Sequence, residues 1–543
     1  MATANPGAGG GAGDDSENLA GIASTEEAAP FEERAALHTT NRPLLTFGVM
    51  AATIMQILDS TIANVALPHM QASLSATADT ITWVLTSYIV ASAVAIPLTG
   101  WLADRIGSRN LFLGAVVGFV IASMLCGLAT SLPEMVAFRV LQGIAAAFMN
   151  PLSQTVMMDI NPKSKQAAAM SIWGMGIMVG PILGPIIGGW LTENYDWRWC
   201  FYVNVPIGIV CFAILWALLP SRQITRRGFD LFGFGVLAIA ISVFQLMLDR
   251  GQTQDWFSSW EVWIEGMVAL GAAWIFLVHL FTAKTPLFDR ALFMNRNLLT
   301  GVGFMLVIGV LMNATLALLP QMLQSLFGYP VLSAGILLMP RGVGIVASMY
   351  VAGQLMKRQV DPRLMVGGGL LIAGWSLYDM TSWTLEMGQQ PFIVTGFIQG
   401  VGLGLIFIPL NIMAFGTLAA HFRTEAASLL NLARNIGGSA GISVVTAMLT
   451  RNIQTSHADL AQHIPDPGLI SNDPVVGSLT GSSTDVILSM ADGIVNAQAA
   501  MIAYLDDFKL MMILTLAVVP LVLLLKRPAP PKAGEAEVHV AMD

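Results

Sequence analysis

Asp59 is the only ionisable residue in the apolar stretch 46–67, and Arg139 is the only one in the stretch 135–157. Asp59 stands about thirteen residues into its stretch. At 1.5 Å per helical residue, that is close to the mid-plane of a bilayer if the stretch crosses one. Ionising a carboxyl in such surroundings is costly, so the group can hold a proton and give it up when its environment changes. The competing reading is a structural hydrogen bond to a neighbouring helix. A guanidinium stays charged, so Arg139 near Asp59 would favour the ionised carboxylate. Spacing alone does not say whether the two meet.

Further along, Gly176, Gly180, Gly184 and Gly188 recur every four residues. Such a row lies on one helix face and lets another backbone come close. Pro181 and Pro185 interrupt the hydrogen-bond ladder of the same stretch and favour a kink. Asp104, Arg105 and Arg109 share one short polar connection. Arg341, directly after Pro340, and Arg434 are two more lone cations in apolar stretches. Each could meet the anionic group of a substrate, pair with an acid, or only pack and snorkel. Gln56 and Trp173 are candidate lining residues of a central cavity. Trp83, Tyr88, Gln142, Asn150, Gln154 and the 31 methionines are further contributors to an adaptable apolar lining. Asp379, near the end of its stretch, is expected to be solvated.

The elements that must hold these residues follow from composition. Of 543 residues 55% are hydrophobic and 11% charged, against roughly 25% charged in an average soluble domain. The apolar residues come in runs near the ~20 residues that cross a hydrocarbon core as a helix. They are too long for barrel strands, and lipid leaves no other backbone structure open. Fourteen spans are predicted: 46–67, 80–101, 111–130, 135–157, 167–190, 199–219, 229–249, 262–282, 298–319, 331–354, 364–384, 391–417, 426–450 and 510–526.

Nineteen of the 26 Lys and Arg fall in one set of alternating connections and four in the other. Arg139, Arg341 and Arg434 make up the rest. The bias places both termini in the cytoplasm. The polar segment 451–509, with Pro465, Pro467 and Pro474, is then expected to be a loop of the second bundle on the outer side. Gly100-Trp-Leu102-Ala-Asp104-Arg105 matches Gly353-Gln-Leu355-Met-Lys357-Arg358 at Gly, Leu and the final Arg, the trace of two related halves.

The expected organisation is a cytoplasmic tail over 1–45, a six-helix bundle over 46–219, two inserted helices over 220–297, a second six-helix bundle over 298–526 and a short tail over 527–543. Residues 1–45 are acidic and Gly/Ala-rich, the composition of a disordered tail rather than a signal peptide. Cys126, Cys200 and Cys211 have no metal-site spacing. No phosphate-binding G-x-x-x-x-G-K-[ST] loop occurs, so ATP is not the expected energy source. Nothing in the charge balance points to nucleic acid.

Several motifs, in order and on the right helices, carry a family resemblance. They are Leu58-Asp59-Ser60-Thr61-Ile62-Ala63-Asn64-Val65-Ala66-Leu67-Pro68, then Gly100-Trp-Leu-Ala-Asp104-Arg105-Ile-Gly107-Ser-Arg109, then Arg139-Val-Leu-Gln142-Gly143. Last come Gly176 to Gly189 and Asp249-Arg250-Gly251 with Asp255-Trp256-Phe257-Ser258-Ser259. Together they resemble the fourteen-helix drug/proton antiporter branch of the major facilitator superfamily, and within it the EmrB-type inner-membrane subunits of tripartite pumps. Asn110 departs from the pattern, where a second basic residue is common.

The resemblance implies an all-α polytopic membrane fold of two six-helix bundles and two added helices. Asp59 would be the proton carrier and Arg139 its modulator. Asp104, with Arg105 and Arg109, would form a conformational gate that holds the outward-facing state against the other half. The glycine-rich helix would be a seam between halves. The expected activity is proton-driven export of hydrophobic or amphipathic small molecules, with no cofactor. A periplasmic adaptor and an outer-membrane channel would be its partners, with 451–509 as the docking surface. Rival readings are a non-transporting membrane sensor or scaffold, a passive uniporter, and an exporter of one metabolite such as a fatty acid or siderophore.

Overall fold

In a computed structural model the chain is described over residues 36–220, 224, 228–463 and 484–526. Most of the expected tails and the stretch 464–483, with Pro465, Pro467 and Pro474, lie outside the described residues. So do Arg34, Arg222, Arg226, Arg227, Arg527 and Lys532, which contributed to the orientation count.

The described residues are helical and contain no strand. The first bundle holds α1 (Arg42–Ser73), α2 (Trp83–Ala95), α3 (Leu98–Ile106), α4 (Ser108–Leu128), α5 (Leu132–Asp159), α6 (Lys163–Asn194) and α7 (Asn204–Leu218). A hairpin follows, of α8 (Leu231–Arg250) and α9 (Trp260–Thr282). The second bundle holds α10 (Arg296–Ser325), α11 (Val331–Lys357), α12 (Pro362–Met380), α13 (Gln390–Gly416), α14 (Arg423–Ala461) and α15 (Thr484–Val518). Helices α2 and α3 are one predicted span bent by 60° at Pro97, which cannot continue the ladder.

Every predicted span falls on a helix or on this bent pair. Eleven described helices are long and apolar enough to cross a membrane, or twelve with the bent pair. The other two, α12 and α14, carry more polar residues. Polar starts fix the helix ends on the face rich in Lys and Arg. Asn41, Asp230, Asn295 and Asp361 each accept a hydrogen bond from a first-turn backbone N–H of α1, α8, α10 and α12, the usual N-cap chemistry. Below, this is the basic face, and the other end is the opposite face.

Within the bundles, α1 packs on α6 and α7, α2 and α4 on α5, α10 on α14, and α11 and α12 on α13. The halves meet along α6 and α11, with α5 and α3 touching α14. The hairpin bridges the halves on another side, since α8 packs on both α2 and α14. Thr86 donates to Asp249 at 2.5 Å, and Ser443 donates to the Leu248 carbonyl.

Two expectations need correction. The segment 451–509 is not a loop at its ends. Helix α14 runs on to Ala461 and α15 begins at Thr484, with His457 and Asp492 joining them at 3.1 Å. Hydropathy marks only the lipid-matched part of a helix, and these helices continue past it with polar faces. Asp379 is half-buried rather than solvated, because Thr395 on α13 donates to it at 2.6 Å.

Candidate functional site

Asp59 is 1% exposed and Arg139 fully buried, and their side chains meet at 2.8 Å. Asp59 also accepts from Gln142 Nε2 at 2.8 Å and from Asn204 Nδ2 at 2.7 Å. Three donors from α5 and α7 therefore converge on a carboxyl of α1, the pattern an ionised carboxylate takes. Arg139 is held in turn by the Val84 carbonyl at 3.0 Å and Gln142 Oε1 at 2.8 Å. The Tyr88 ring lies 4.3 Å from its guanidinium carbon. Asn204 also donates to Ser123 on α4 at 2.9 Å. The cluster thus ties five helices together around one buried carboxyl group.

Sequence reasoning missed Asn204 and Ser123. Gln142 and Tyr88, expected in a cavity lining, belong to this cluster. Trp83 is 40% exposed and lines no cavity described below.

The glycine row of α6 faces α1 in its own bundle, not the other half. A Cβ at Gly176 would meet Met50, at Gly180 Ile57, at Gly184 Thr61 and at Gly188 Val65. Thr61 Oγ1 reaches the Gly180 carbonyl at 3.3 Å. The other face of α6 forms the seam. A Cβ at Gly174 would meet Met349 and Ile408, Gly342 of α11 abuts Ile182, and Gly353 abuts Ser171. The motif therefore seats α1, the helix that carries Asp59, while adjoining residues join the halves.

At the basic face the halves are pinned. Asp159, ending α5, pairs with Arg423, opening α14, at 2.7 Å, and the two side chains are 2% and 9% exposed. Gly100 of α3 lies against Glu425 of α14, so the helix carrying Asp104 does pack on the other half. The arginines beside it do not reach across. Arg105 is exposed, with its guanidinium carbon 5.2 Å from the Trp101 ring, and Arg109 donates to the Trp216 carbonyl of α7 at 2.6 Å. Asn110 bonds locally to the Ile106 carbonyl at 3.0 Å.

One layer deeper, Gln154 donates to Asn411 at 2.5 Å, and Asn431 donates to Gln154 at 3.1 Å. Arg434 donates to Asn431 at 3.0 Å. Trp173 stacks on Phe407 beside them, at 6.2 Å between centroids. This neck encloses only about 10 Å³, so Trp173 and Arg434 sit where the cleft is shut. Gln56 is half-buried with an unpartnered Oε1 and lines neither this void nor the large cavity. Asn150 is likewise buried with a free Oδ1.

Toward the opposite face the halves separate around a cavity of about 470 Å³, lined from α1, α6, α10 and α11. Such a volume suits a small organic molecule. Pro181, Pro185 and Arg341 line it. The described residues therefore show a closed basic face, a cavity toward the opposite face and a buried carboxyl–guanidinium cluster in the first bundle.

Comparison with known proteins agrees with this geometry. The profile of the Major Facilitator Superfamily matches residues 49–442. The fatty acid resistance protein FarB of Neisseria gonorrhoeae is 36% identical over 492 residues, 89% of this chain and 96% of that protein. The multidrug export protein EmrB of Escherichia coli K12 is 37% identical over 426 residues, 78% of this chain and 83% of that one. Among solved structures, the human organic anion transporter MFSD10 superposes with a TM-score of 0.55 at 12% identity, covering 87% of this chain and 99% of that one. The proton:xylose symporter XylE does so with 0.55 at 14% identity, covering 83% and 94%.

Proposed function

The chain belongs to the major facilitator superfamily, and from that premise we propose that it is an EmrB-like, proton-driven exporter of hydrophobic and amphipathic small molecules. Likeness to the EmrB multidrug export proteins over most of the chain supports the substrate range. The observation that carries the mechanism is the buried Asp59–Arg139 pair on α1 and α5, set beside a cleft that is shut at one face only.

Protonation removes the charge that Arg139, Gln142 and Asn204 hold. The hydrogen bonds that fix α1 against α5 and α7 weaken, and α1 is freed to shift within its bundle. Substrate binding from the basic-face side favours loss of that proton, and the returning charge resets the cluster. The membrane potential adds about 2.3 kcal/mol per charge per 100 mV. The Asp159–Arg423 pair acts as the basic-face lock, with the helix of Asp104 packed beside it. Arg105 and Arg109 brace α3 and α4 within the first bundle.

The basic face is cytoplasmic in this reading, by the Lys/Arg bias, and the chain sits in a bacterial inner membrane. A periplasmic adaptor and an outer-membrane channel complete the export path, and the projecting ends of α14 and α15 are the docking surface. Co-purification of the adaptor with and without those ends tests this; equal recovery removes them as the docking site. Likeness to FarB favours a second reading, export of fatty acids by the same cycle.

The decisive experiment is dye movement in proteoliposomes. With an imposed proton gradient the wild-type chain should drive uphill transport, and Asp59→Asn should lose it. Retention of gradient-driven accumulation by Asp59→Asn would remove Asp59 from coupling.

A further inference from the structure

Arg341 lies on α11, about 15 Å along the helix from its start, and is 7% exposed. Its Nε is buried with no partner, and its Nη2 has one long contact, 3.4 Å to the Met312 carbonyl. Among the described residues no carboxylate pairs with it, and no Asp or Glu lines the 470 Å³ cavity it borders. The lining is mostly apolar: Leu316, Leu338, Met339 and Ile345 are typical, with Asn64 and Gln324 among the few polar groups.

A guanidinium remains charged, and a buried cation without a counterion is costly to hold. An anion entering the cavity offsets that cost and takes up the unused donors in a charge-assisted fork. An apolar tail on the same molecule fills the rest. A cation of equal size meets a like charge with no acid to answer it.

Resting on the export reading above, we propose that this cavity selects monoanionic amphiphiles and that Arg341 is the residue that receives the anionic head. Thr61 lines the cavity two residues from Asp59 on α1, so an occupant bears directly on the helix that carries the proton site.

The test uses the full chain in nanodiscs and three probes with one tail: decanesulfonate, decanol and decyltrimethylammonium. Calorimetric titration should rank the sulfonate at least about tenfold tighter than the other two. Arg341→Gln should lose that preference and leave decanol affinity within about twofold, while Arg341→Lys should keep much of it. Equal affinity of the wild-type chain for sulfonate and ammonium overturns the assignment, whether or not Arg341→Gln folds. So does an Arg341→Gln chain that folds and still prefers the sulfonate. Proteoliposomes separate the two claims. If the sulfonate binds selectively but no probe or dye is driven uphill, the export reading fails and the anion site stands. If dyes are driven uphill and the sulfonate shows no preference, only the anion site fails.

Discussion

Asp59 and Arg139 are each half of a buried ion pair, and removing one half leaves the other charge without water or partner. Breaking such a pair costs roughly 3–5 kcal/mol, whereas removing both charges is often close to neutral. Asp59→Asn and Arg139→Gln should therefore each lower the unfolding midpoint in detergent. The double variant should be more stable than either single one, a coupling that a double-mutant cycle reads directly. Additive losses would mean that the two side chains do not depend on each other. Both residues were legible in the sequence, because a lone charge in an apolar run is conspicuous. Their contact was not, since it joins positions 80 residues apart. Asn204 escaped because a single amide at the start of an apolar run reads like an ordinary span residue. Only the fold reveals that it points at a carboxyl.

The glycine row of α6 illustrates what periodicity can and cannot settle. A repeat of four identifies a close-packed face but not what occupies it, and here the occupant is α1 rather than the second bundle. At Gly180 an added Cβ would stand 2.6 Å from Ile57 Cγ2 and 3.2 Å from the Leu58 nitrogen, so backbone as well as side chain must yield. Gly180→Leu should push α1 off its seat and displace Asp59 from Asn204 and Arg139. Overpacking of this kind costs about 1–3 kcal/mol or more. The expected outcome is a lower melting temperature together with loss of gradient-driven transport. Gly189, on the same helix, has open space around its Cβ position, so Gly189→Ala should melt and transport like the unaltered chain. If both substitutions behave alike, the seat is not what positions α1. The bend between α2 and α3 was invisible for a related reason. Pro97 marks a weak point in the ladder, but its 60° angle depends on how α3 meets α14.

Across the whole molecule the two faces are unequal, and the inequality rests on few contacts. The order of the helices could be read from apolar runs, since every predicted span falls on a helix or on the bent pair. The lock between halves could not. Arg423 looks like one more basic-face cation, and Asp159 like the polar end of a span, until folding brings positions 264 apart together. The pair is nearly dry, with side-chain exposures of 2% and 9%, so its rupture costs several kcal/mol in this closed state. In a state open at the basic face both groups meet water and that cost vanishes. Asp159→Asn should therefore shift the population toward the basic-face-open state, tenfold for each ~1.4 kcal/mol lost. Spin labels placed near the basic-face ends of α5 and α14 would report a longer mean distance. The exchange Asp159→Arg with Arg423→Asp should restore the short distance, because it rebuilds the attraction with reversed polarity. A distribution unchanged by Asp159→Asn would show that helix packing alone, through Gly100 against Glu425 and the Gln154–Asn411 neck, keeps this face shut.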